Sequence, residues 1–308
     1  MTEPRSDTGD PHVPVAPVAG SLRARAADYV TLAKPRLNIL VVVTALAGYY
    51  MGVIGPAHTW VLVHMLIGTT LVASGSAVFN QLIEIEADGM MRRTRARPLP
   101  SGRLTPAAAR AFAIVLSVIG VVELALGVNL LASGIALTTL LTYTVFYTPL
   151  KKRSSLATVV GGVPGALPPM IGWASARNNL SAEAWILFGI VFLWQMPHFL
   201  AIAWMYREDY RRAGFPLLPV VEPDGVSTGH QAVLYAAALL PVSLAPTAVA
   251  MTGAVYLTGA AVLGLGFIWL AFQFSRTRSA PAARKLFFGS IIYLPLLWIL
   301  MLTNRVTP

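Results

Sequence analysis

Three oxygen-bearing side chains lie four residues apart near the end of an apolar stretch. They are Asn80, Glu84 and Asp88, in the run NQLIEIEADGMMRRTRARPLP that begins at Asn80. On an α-helix this spacing places all three on one face, whereas Glu86 points elsewhere. Carboxylates at a helix end suit Mg²⁺, which takes one or two of them from protein and completes its shell with water and substrate phosphates. The alternative is a solvated helix end, and the spacing alone leaves both open.

A run of arginines follows these acids directly and includes Arg93 and Arg97. The forked guanidinium group of arginine matches phosphate oxygens. Arginines beside a magnesium site are what a diphosphate needs, so Arg93 and Arg97 are candidate diphosphate ligands. Positive charge that only sets membrane topology would explain the sign of this run but not its place beside the acids.

Tyr147 and Lys151 form a second polar group, four residues apart at the end of another apolar segment. This spacing also puts both side chains on one helix face. A tyrosine of the interfacial aromatic belt beside a lysine that reaches toward the headgroups would give the same pattern. The pair lies on the same predicted side of the membrane as the acidic cluster.

A third polar group lies inside an apolar segment, where the run WQMPHF occupies residues 194–199. Gln195 and His198 are expensive in a membrane helix, so a functional interpretation is the default. His198 could be a ligand or an acid–base group, or it could only bond a neighbouring helix. Asp209 follows the same segment, next to Glu208.

The composition defines the surroundings of these groups. Of the 308 residues, 56% are hydrophobic and 12% are charged, and the mean hydropathy is +0.66. A soluble domain carries about 25% charged residues, so the solvent of this chain must be lipid. The absence of cysteine excludes disulfides, thiolate catalysis and cysteine-ligated metals. The net charge of +10 is interpreted as topogenic and headgroup-binding charge rather than a nucleic-acid surface.

Apolar segments of about 20 residues, long enough to cross a bilayer, dominate the chain. They are predicted at 37–55, 60–82, 106–126, 129–149, 155–175, 184–205, 231–251, 254–274 and 286–303. The fold class is therefore an all-α polytopic membrane protein with about nine transmembrane helices. Residues 1–22 are predicted to be a disordered cytoplasmic tail, and residues 23–305 a single transmembrane domain whose first residues lie at the membrane surface.

The basic residues predict the orientation. Of 23 lysines and arginines, only Arg177 and Arg305 fall on the far side if the N-terminus is cytoplasmic, which leaves 23 − 2 = 21 on the cytoplasmic side. This bias is a strong positive-inside signal and supports an odd number of spans. The C-terminus is then expected on the opposite side.

The motifs resemble those of a known family. The run from Asn80 to Leu99 is similar to the first acidic motif of the UbiA-type intramembrane prenyltransferases, and Tyr147 and Lys151 are similar to that superfamily's tyrosine–lysine pair. The runs WQMPHF at 194–199 and EDYRRAGFPLLPV at 208–220 resemble the haem-farnesylating branch more narrowly. The resemblance covers roughly residues 30–303.

The resemblance implies a UbiA-type bundle with an active site facing the cytoplasm, in a bacterial cytoplasmic (inner) membrane. It implies transfer of the farnesyl group of farnesyl diphosphate to a vinyl group of haem B, with addition of water, to give haem O and diphosphate. Mg²⁺ is the implied cofactor, and a haem A synthase is a candidate partner.

The resemblance also implies roles for individual residues. The implied magnesium ligands are Asn80, Glu84, Asp88 and Asp209. The implied diphosphate ligands are Arg93, Arg97 and Lys151. The implied catalytic set is Asn80, Glu84, Asp88, Tyr147, Lys151 and His198. Two positions depart from the superfamily pattern: Glu84 replaces the usual Asp, and the second acidic motif is reduced to Asp209 beside Glu208.

Two other functions fit parts of the sequence. A prenyltransferase with a different acceptor, such as a quinone precursor or a chlorin, would keep the magnesium half, but the run at 194–199 argues against it. A secondary transporter would also carry intramembrane polar residues, but near the middle of the bilayer. The charged residues here cluster at helix ends on one side, which favours an enzyme.

Overall fold

The computed structural model describes residues 21–306, and within them the chain is helical apart from loops and one isolated β-bridge between Thr252 and Arg305. The predicted tail, residues 1–22, lies outside the described residues except for its last two positions. The helices are α1 Leu22–Ala33, α2 Pro35–Gly52, α3 Thr59–Ile83, α4 Ile85–Met90, α5 Pro106–Gly127, α6 Leu130–Leu141, a π-helical segment Thr142–Tyr147, α7 Thr148–Leu150, α8 Ala157–Ala166, α9 Pro168–Arg177, α10 Ala182–Met205, α11 Arg207–Arg212, α12 Leu218–Val221, α13 Val226–Ala248, α14 Ala254–Thr277 and α15 Ala280–Thr303.

Seven helical segments of the described chain are long and apolar enough to cross a membrane on their own, and the helices α1 and α2, bent by 45°, form an eighth candidate. The seven are α3, α5, Leu130–Leu150 (α6 to α7), α10, α13, α14 and α15. The chain is thus an integral membrane protein, but the predicted count of nine spans is not confirmed.

The difference lies in the predicted span 155–175. It forms two helices of 10 residues each, α8 and α9, with the break at Leu167, directly before Pro168 and Pro169. A helix of that length rises only about 15 Å, half of a hydrocarbon core. Pro168 and Pro169 have no amide N–H to donate, so the hydrogen bonds of the helix are interrupted there although Leu167 keeps a helical backbone.

Helix α3 defines the two ends of the bundle. Its 25 residues give a length of about 37 Å. We call the end at Glu84 the near face and the end at Thr59 the far face. The broken pair α8–α9 joins the two faces, because α8 begins close to Lys151 on the near face and α9 ends at Arg177, which lines a far-face pocket with His58.

Close helix contacts hold α3 and its neighbours in place. Gly75 faces Ser117 of α5, and a Cβ atom at Gly75 would lie 2.2 Å from the Ser117 hydroxyl oxygen. Gly120 of α5 is equally tight against α3, where its Cβ would lie 2.8 Å from the Val72 amide nitrogen. Small residues let membrane helices approach to backbone distance. The pair α3–α5 is therefore a rigid support for the near-face end of α3.

A second close contact joins α2 and α9. A Cβ atom on Gly48 would lie 2.0 Å from the Pro169 carbonyl oxygen, and one on Gly172 would lie 1.8 Å from the Ala45 carbonyl oxygen. Both close atoms belong to the backbone, so neither helix could move aside enough to make room for a Cβ atom. The broken pair α8–α9 is thereby held against α2 in the protein interior, as the glycine- and proline-rich sequence predicts.

Candidate active site

The three predicted oxygen ligands lie together, although the helix that carries them is broken. Helix α3 ends at Ile83, and Glu84, with φ −102° and ψ 14°, connects it to α4. Two backbone hydrogen bonds keep the helical register across the break: the Glu84 amide donates to the Asn80 carbonyl at 3.1 Å, and the Asp88 amide to the Glu84 carbonyl at 2.7 Å. Asn80, Glu84 and Asp88 are all buried, whereas Glu86 is exposed.

Both carboxylates are paired with cations from other parts of the chain. The Lys151 ammonium donates to Glu84 Oε1 at 2.8 Å, and the Arg97 guanidinium donates to Asp88 Oδ2 at 2.6 Å. The other oxygen of Asp88, Oδ1, is buried and has no hydrogen-bond partner within residues 21–306. A buried carboxylate oxygen without a partner is costly unless a cation or donor occupies its free side.

The donor set fits Mg²⁺. Two carboxylates and the Asn80 amide supply only hard oxygen atoms, which this ion prefers. Among the described residues, no group of three or more acidic, histidine or cysteine side chains lies close enough to hold a metal ion. The protein therefore offers part of a coordination shell and leaves the rest to water and phosphate oxygens, which is how Mg²⁺ usually binds with a phosphorylated substrate.

Asp209, predicted as a further ligand, does not join such a cluster. Its Oδ1 lies 3.6 Å from the Arg212 guanidinium, one helical turn away on α11. Arg93 forms no ion pair among residues 21–306; it is exposed, and its guanidinium carbon lies 5.1 Å from the ring centre of Tyr206, directly before α11. The roles of Asp209 and Arg93 remain predictions, and both would need a ligand that spans from α4 to α11.

Lys34 is a site residue that the sequence did not single out. Its ammonium lies 3.4 Å from the Asn80 amide oxygen. Its backbone is left-handed, with φ 51° and ψ 54°, at the bend between α1 and α2. Such a conformation costs a residue other than glycine roughly 1–2 kcal/mol, and it commonly ends a helix, as it also does at Asn178 and Arg278. In the sequence, Lys34 was counted only among the topogenic charges.

The predicted pair of Tyr147 and Lys151 is formed. The Lys151 amide bonds the Tyr147 carbonyl at 3.1 Å, and the Lys151 ammonium lies 5.6 Å from the centre of the Tyr147 ring and 4.9 Å from that of Phe215. Burial opposes the charge on Lys151, but Tyr147 and the hydrogen-bonded Glu84 carboxylate outweigh it and raise the lysine pKa above its usual range. Lys151 therefore stays protonated.

A π-helix that no sequence pattern predicted carries Tyr147. Residues Thr142–Tyr147 form a π-helix, which widens the helix directly before Lys151. Segments of this kind are rare and occur frequently at functional sites. Here the wide turn positions Tyr147 against Gly161 of α8, where a Cβ atom would lie 2.5 Å from the tyrosine ring.

An apolar cavity of about 270 Å³ lies beside Lys34, the residue that contacts Asn80. Lys34 and Asn38 lie at its polar end, and Val41, Tyr143 and Phe199 are among its other lining residues. A second cavity, of about 420 Å³, shares Lys34 with the first and also contacts Arg97 and Gln81. Lys34 thus lines both an apolar cavity and a cavity that contains the cation of Arg97, an arrangement suited to a ligand with an apolar chain and an anionic head.

His198 lies away from the charged layer. Its Nδ1 is 2.7 Å from the Ser290 hydroxyl of α15, and its ring is stacked between Trp194 and Phe287, with centroid distances of 5.3 and 5.0 Å. The neighbouring Phe199 lines the apolar cavity, but His198 is not among the lining residues. The structure therefore places His198 in a helix-to-helix contact one residue removed from the cavity wall.

The rest of the run at 194–199 also connects helices. Trp194 donates its indole N–H to the Ser290 carbonyl at 2.8 Å, and the Gln195 amide donates to the Gly162 carbonyl of α8 at 2.7 Å. A Cβ atom on Gly165 would lie 2.3 Å from the Gln195 amide oxygen. These polar groups satisfy the backbone near Pro164 and tie α10 to α8 and α15.

Comparison with known proteins matches residues 41–293 to the UbiA prenyltransferase family. A protein of Solibacter usitatus named protohaem IX farnesyltransferase is 48% identical over 288 residues, which cover 90% of this chain and 98% of the relative. Seven further curated relatives, 39–44% identical, carry the same name.

Solved structures share the fold. A digeranylgeranylglyceryl phosphate synthase aligns with a TM-score of 0.77 at 20% identity, covering 91% of this chain and 98% of its own. A UbiA homologue of Archaeoglobus fulgidus, bound to GPP and Mg²⁺, aligns with a TM-score of 0.64 at 12% identity, covering 89% and 99%. Together with the family match and the 48% identity of the Solibacter protein, these likenesses lead to one conclusion. The chain belongs to the UbiA prenyltransferase family and is a membrane-embedded prenyltransferase enzyme.

Proposed function

We propose that the chain transfers the farnesyl group of farnesyl diphosphate to a vinyl group of haem B, with addition of water, and releases haem O and diphosphate. The observation that carries the donor half is the layer of paired charges, Glu84 with Lys151 and Asp88 with Arg97, beside an apolar cavity. The acceptor half rests on the relatives, which are named protohaem IX farnesyltransferase.

The paired cations are the residues that would bind the diphosphate. Lys151 and Arg97 neutralise carboxylates in the structure and would turn to phosphate oxygens when substrate enters, with Lys34 as a third cation at the neck between the cavities. Glu84, Asp88 and Asn80 would hold Mg²⁺, which would act as a Lewis acid that offsets negative charge on the leaving diphosphate. Fixed cations aimed at that charge lower the barrier for loss of the leaving group.

The bonds change in a balanced order. The bond between C1 of the farnesyl chain and the diphosphate oxygen breaks, and its electron pair leaves with the diphosphate. The vinyl π electrons of haem then form a carbon–carbon bond to C1. Water adds to the resulting cation and loses a proton, which leaves a hydroxyethylfarnesyl group. The lining of the cavity by Val41, Tyr143 and Phe199 would keep water away until the carbon–carbon bond has formed.

The near face is proposed to be cytoplasmic, in a bacterial inner membrane. The basic residues favour this orientation, and farnesyl diphosphate is soluble on that side. The product is a large apolar pigment that stays in the membrane, so an enzyme that consumes it, such as a haem A synthase, is the expected partner.

A pigment assay tests the proposal. Membranes that contain the chain are incubated with haem B, labelled farnesyl diphosphate and Mg²⁺, and the pigments are separated and weighed by mass spectrometry. We expect label in a pigment heavier than haem B by one farnesyl group and one hydroxyl. A parallel incubation replaces haem with an aromatic quinone precursor. Label in that acceptor and none in haem would refute haem as the acceptor, and membranes carrying Asp88→Asn are the matched control.

A further inference from the structure

A polar pocket of about 320 Å³ lies on the far face, at the opposite end of α3 from the charged layer. It is formed by the loop between α2 and α3 and by the end of α9. Its polar lining residues are Tyr49, His58, Ser175, Arg177 and Asn179. We call it the far-face pocket. Nothing in the transfer of a prenyl group from the near face uses it.

The two basic residues that the sequence assigns to the far side both come to this pocket. Arg177 ends α9 and lines the pocket directly. Arg305 arrives from the end of the chain, where the bridge to Thr252 holds its backbone. The Arg305 guanidinium donates to the carbonyl of Val53, another lining residue. Two helix ends that are far apart in sequence therefore bring two positive charges to one place.

In the described part of the chain, neither guanidinium forms an ion pair. No ion pair within 4.0 Å joins Arg177 or Arg305 to an acidic side chain anywhere in residues 21–306. The Nε atom of Arg177 is buried and has no hydrogen-bond partner among these residues. Burial lowers the pKa of Arg305, and the positive charge of Arg177 lowers it further. The pocket thus holds two like charges and an unused buried donor.

Other lining groups favour an anion. The Asn179 amide oxygen accepts the indole N–H of Trp173 at 3.3 Å, which leaves the amide N–H₂ group free to donate. Tyr49 and Ser175 use their hydroxyl hydrogens on the carbonyls of His58 and Ile171. The remaining side-chain donors are those of Arg177, Arg305, Asn179 and the His58 ring. An oxyanion is the ligand that takes several forked N–H donors at once.

The side chains at the rim of the pocket indicate its depth in the membrane. Ile54 lines the pocket and is 59% exposed, Trp60 begins the adjoining helix and is 70% exposed, and Val306 next to Arg305 is 48% exposed. Exposed apolar and tryptophan side chains beside arginine are typical of the boundary between headgroups and acyl chains. A ligand at this depth has an anionic head and apolar chains.

We propose that the far-face pocket binds the phosphate group of an anionic phospholipid from the far leaflet. The phosphate accepts hydrogen bonds from Arg177, Arg305 and Asn179, and the acyl chains lie along the exposed apolar rim. Occupancy ties together the loop between α2 and α3, the end of α9 and the end of α15, because each contributes to the pocket or to the arginines that enter it.

Lipid binding by the full-length protein in detergent is the test. Native mass spectrometry and thermal unfolding are measured with phosphatidylglycerol, with phosphatidylcholine and with inorganic phosphate. The variants are Arg177→Gln, Arg305→Gln and the double substitution, and Arg284→Gln is the control, since Arg284 is exposed at the near-face start of α15. We expect phosphatidylglycerol to raise the unfolding temperature, and each arginine variant to weaken its binding about tenfold or more. The control should bind as the unmodified chain does.

The outcomes separate the possible ligands. Stabilisation by inorganic phosphate equal to that by phosphatidylglycerol, and lost in the same variants, would assign the pocket to a free oxyanion rather than a lipid. Equal binding of both lipids, unchanged by any arginine variant, would overturn the proposal. If Arg177→Gln does not fold, Arg177→Lys keeps the charge but loses the fork, and Arg305→Gln decides alone. Prenyl transfer in detergent should be unchanged in Arg305→Gln, so the result does not depend on the proposed reaction.

Discussion

The two faces of the bundle carry basic side chains in opposite ways. On the near face, Lys151 and Arg97 are each paired with a buried carboxylate. On the far face, Arg177 and Arg305 have no carboxylate within 4.0 Å among the described residues. Paired charges can exchange their partners for a metal ion and an anionic substrate, and they return to each other when product leaves. Unpaired cations have no internal carboxylate to return to, so they suit an anionic ligand that remains bound.

The backbones of the two faces differ in the same sense. The near face is built from irregular pieces, namely the break at Glu84, the π-helix Thr142–Tyr147 and the left-handed Lys34. Conformations of this kind are retained where function requires them. The far face also has left-handed residues, Asn178 and Ala250, but they follow the ends of α9 and α13, and the π-helix that the described residues contain lies on the near face. Chemistry is thus expected where regular structure is given up, and the predictions below test that contrast.

The largest effect is expected from the near-face carboxylates. Asp88→Asn and Glu84→Gln each remove an anionic magnesium ligand and should lower turnover by about three orders of magnitude or more. Farnesyl transfer in purified, folded protein is the measurement. Loss of one partner from a buried pair costs about 3–5 kcal/mol, so folding is checked by size exclusion and thermal unfolding. Glu86→Gln, at an exposed position on α4, is the control. Normal activity in a folded Asp88→Asn variant would end the magnesium assignment.

The sidedness of the faces predicts an all-or-none labelling pattern. The chain has no cysteine, so single substitutions give unambiguous labels. In intact cells a membrane-impermeant maleimide should modify Ile54→Cys on the far face and leave Arg284→Cys on the near face unlabelled until the cells are opened. Reporter fusions should place the N-terminus in the cytoplasm and the C-terminus outside it. Labelling of both positions from one side would contradict the odd number of crossings.

Lys34 should have an intermediate effect. Lys34→Gln removes one of three cations near the diphosphate and is expected to lower kcat/KM for farnesyl diphosphate about 10- to 100-fold, through charge-assisted hydrogen bonds lost in the transition state. Lys34→Gly also relieves the left-handed backbone, so the protein should be at least as stable while activity stays low. Lys152→Gln, at an exposed lysine beside Lys151, is the control. Full activity in both Lys34 variants would show that this residue serves only the bend.

The smallest effect concerns His198. If His198 positions haem, His198→Ala should raise the KM for haem well above any change in the KM for farnesyl diphosphate. If it only bonds Ser290, His198→Gln and Ser290→Ala should behave alike, because such a bond between membrane helices contributes about 0.6 kcal/mol, or roughly threefold. Haem and farnesyl diphosphate affinities in detergent, measured for all three variants, separate the two roles. Equal weakening of both ligands would leave His198 a structural residue.

Local patterns in the sequence predicted much of this structure. The four-residue spacing of Asn80, Glu84 and Asp88 and of Tyr147 and Lys151 survives, because helical periodicity depends only on neighbours along the chain. The apolar segments predicted the long helices for the same reason. The count of nine spans stays a prediction, because the predicted span 155–175 breaks at Pro168 and Pro169 into two short helices that join the two faces only together.

Contacts between segments that are distant along the chain could not be predicted from local sequence patterns. Lys34 was assigned to topology because its left-handed backbone and its approach to Asn80 arise only in the folded chain. Glu123 pairs with the imidazole Nδ1 of His64 at 2.6 Å, a contact between residues 59 positions apart that no local pattern predicts. Arg305 lies near Arg177 because a β-bridge joins Arg305 to Thr252, and no periodic pattern in the sequence predicts that bridge.

The contact of α2 with α9 has a consequence for the membrane itself. Gly48 and Gly172 bring the two backbones together so closely that even a methyl group would not fit. The large buried side chains of Tyr49, Met170 and Ile171 flank this line. A membrane protein with a cavity at each end would let ions leak down their gradient if water connected the two cavities. This dry seam is expected to insulate one end from the other, so that Gly172→Ala would increase proton leakage through reconstituted vesicles.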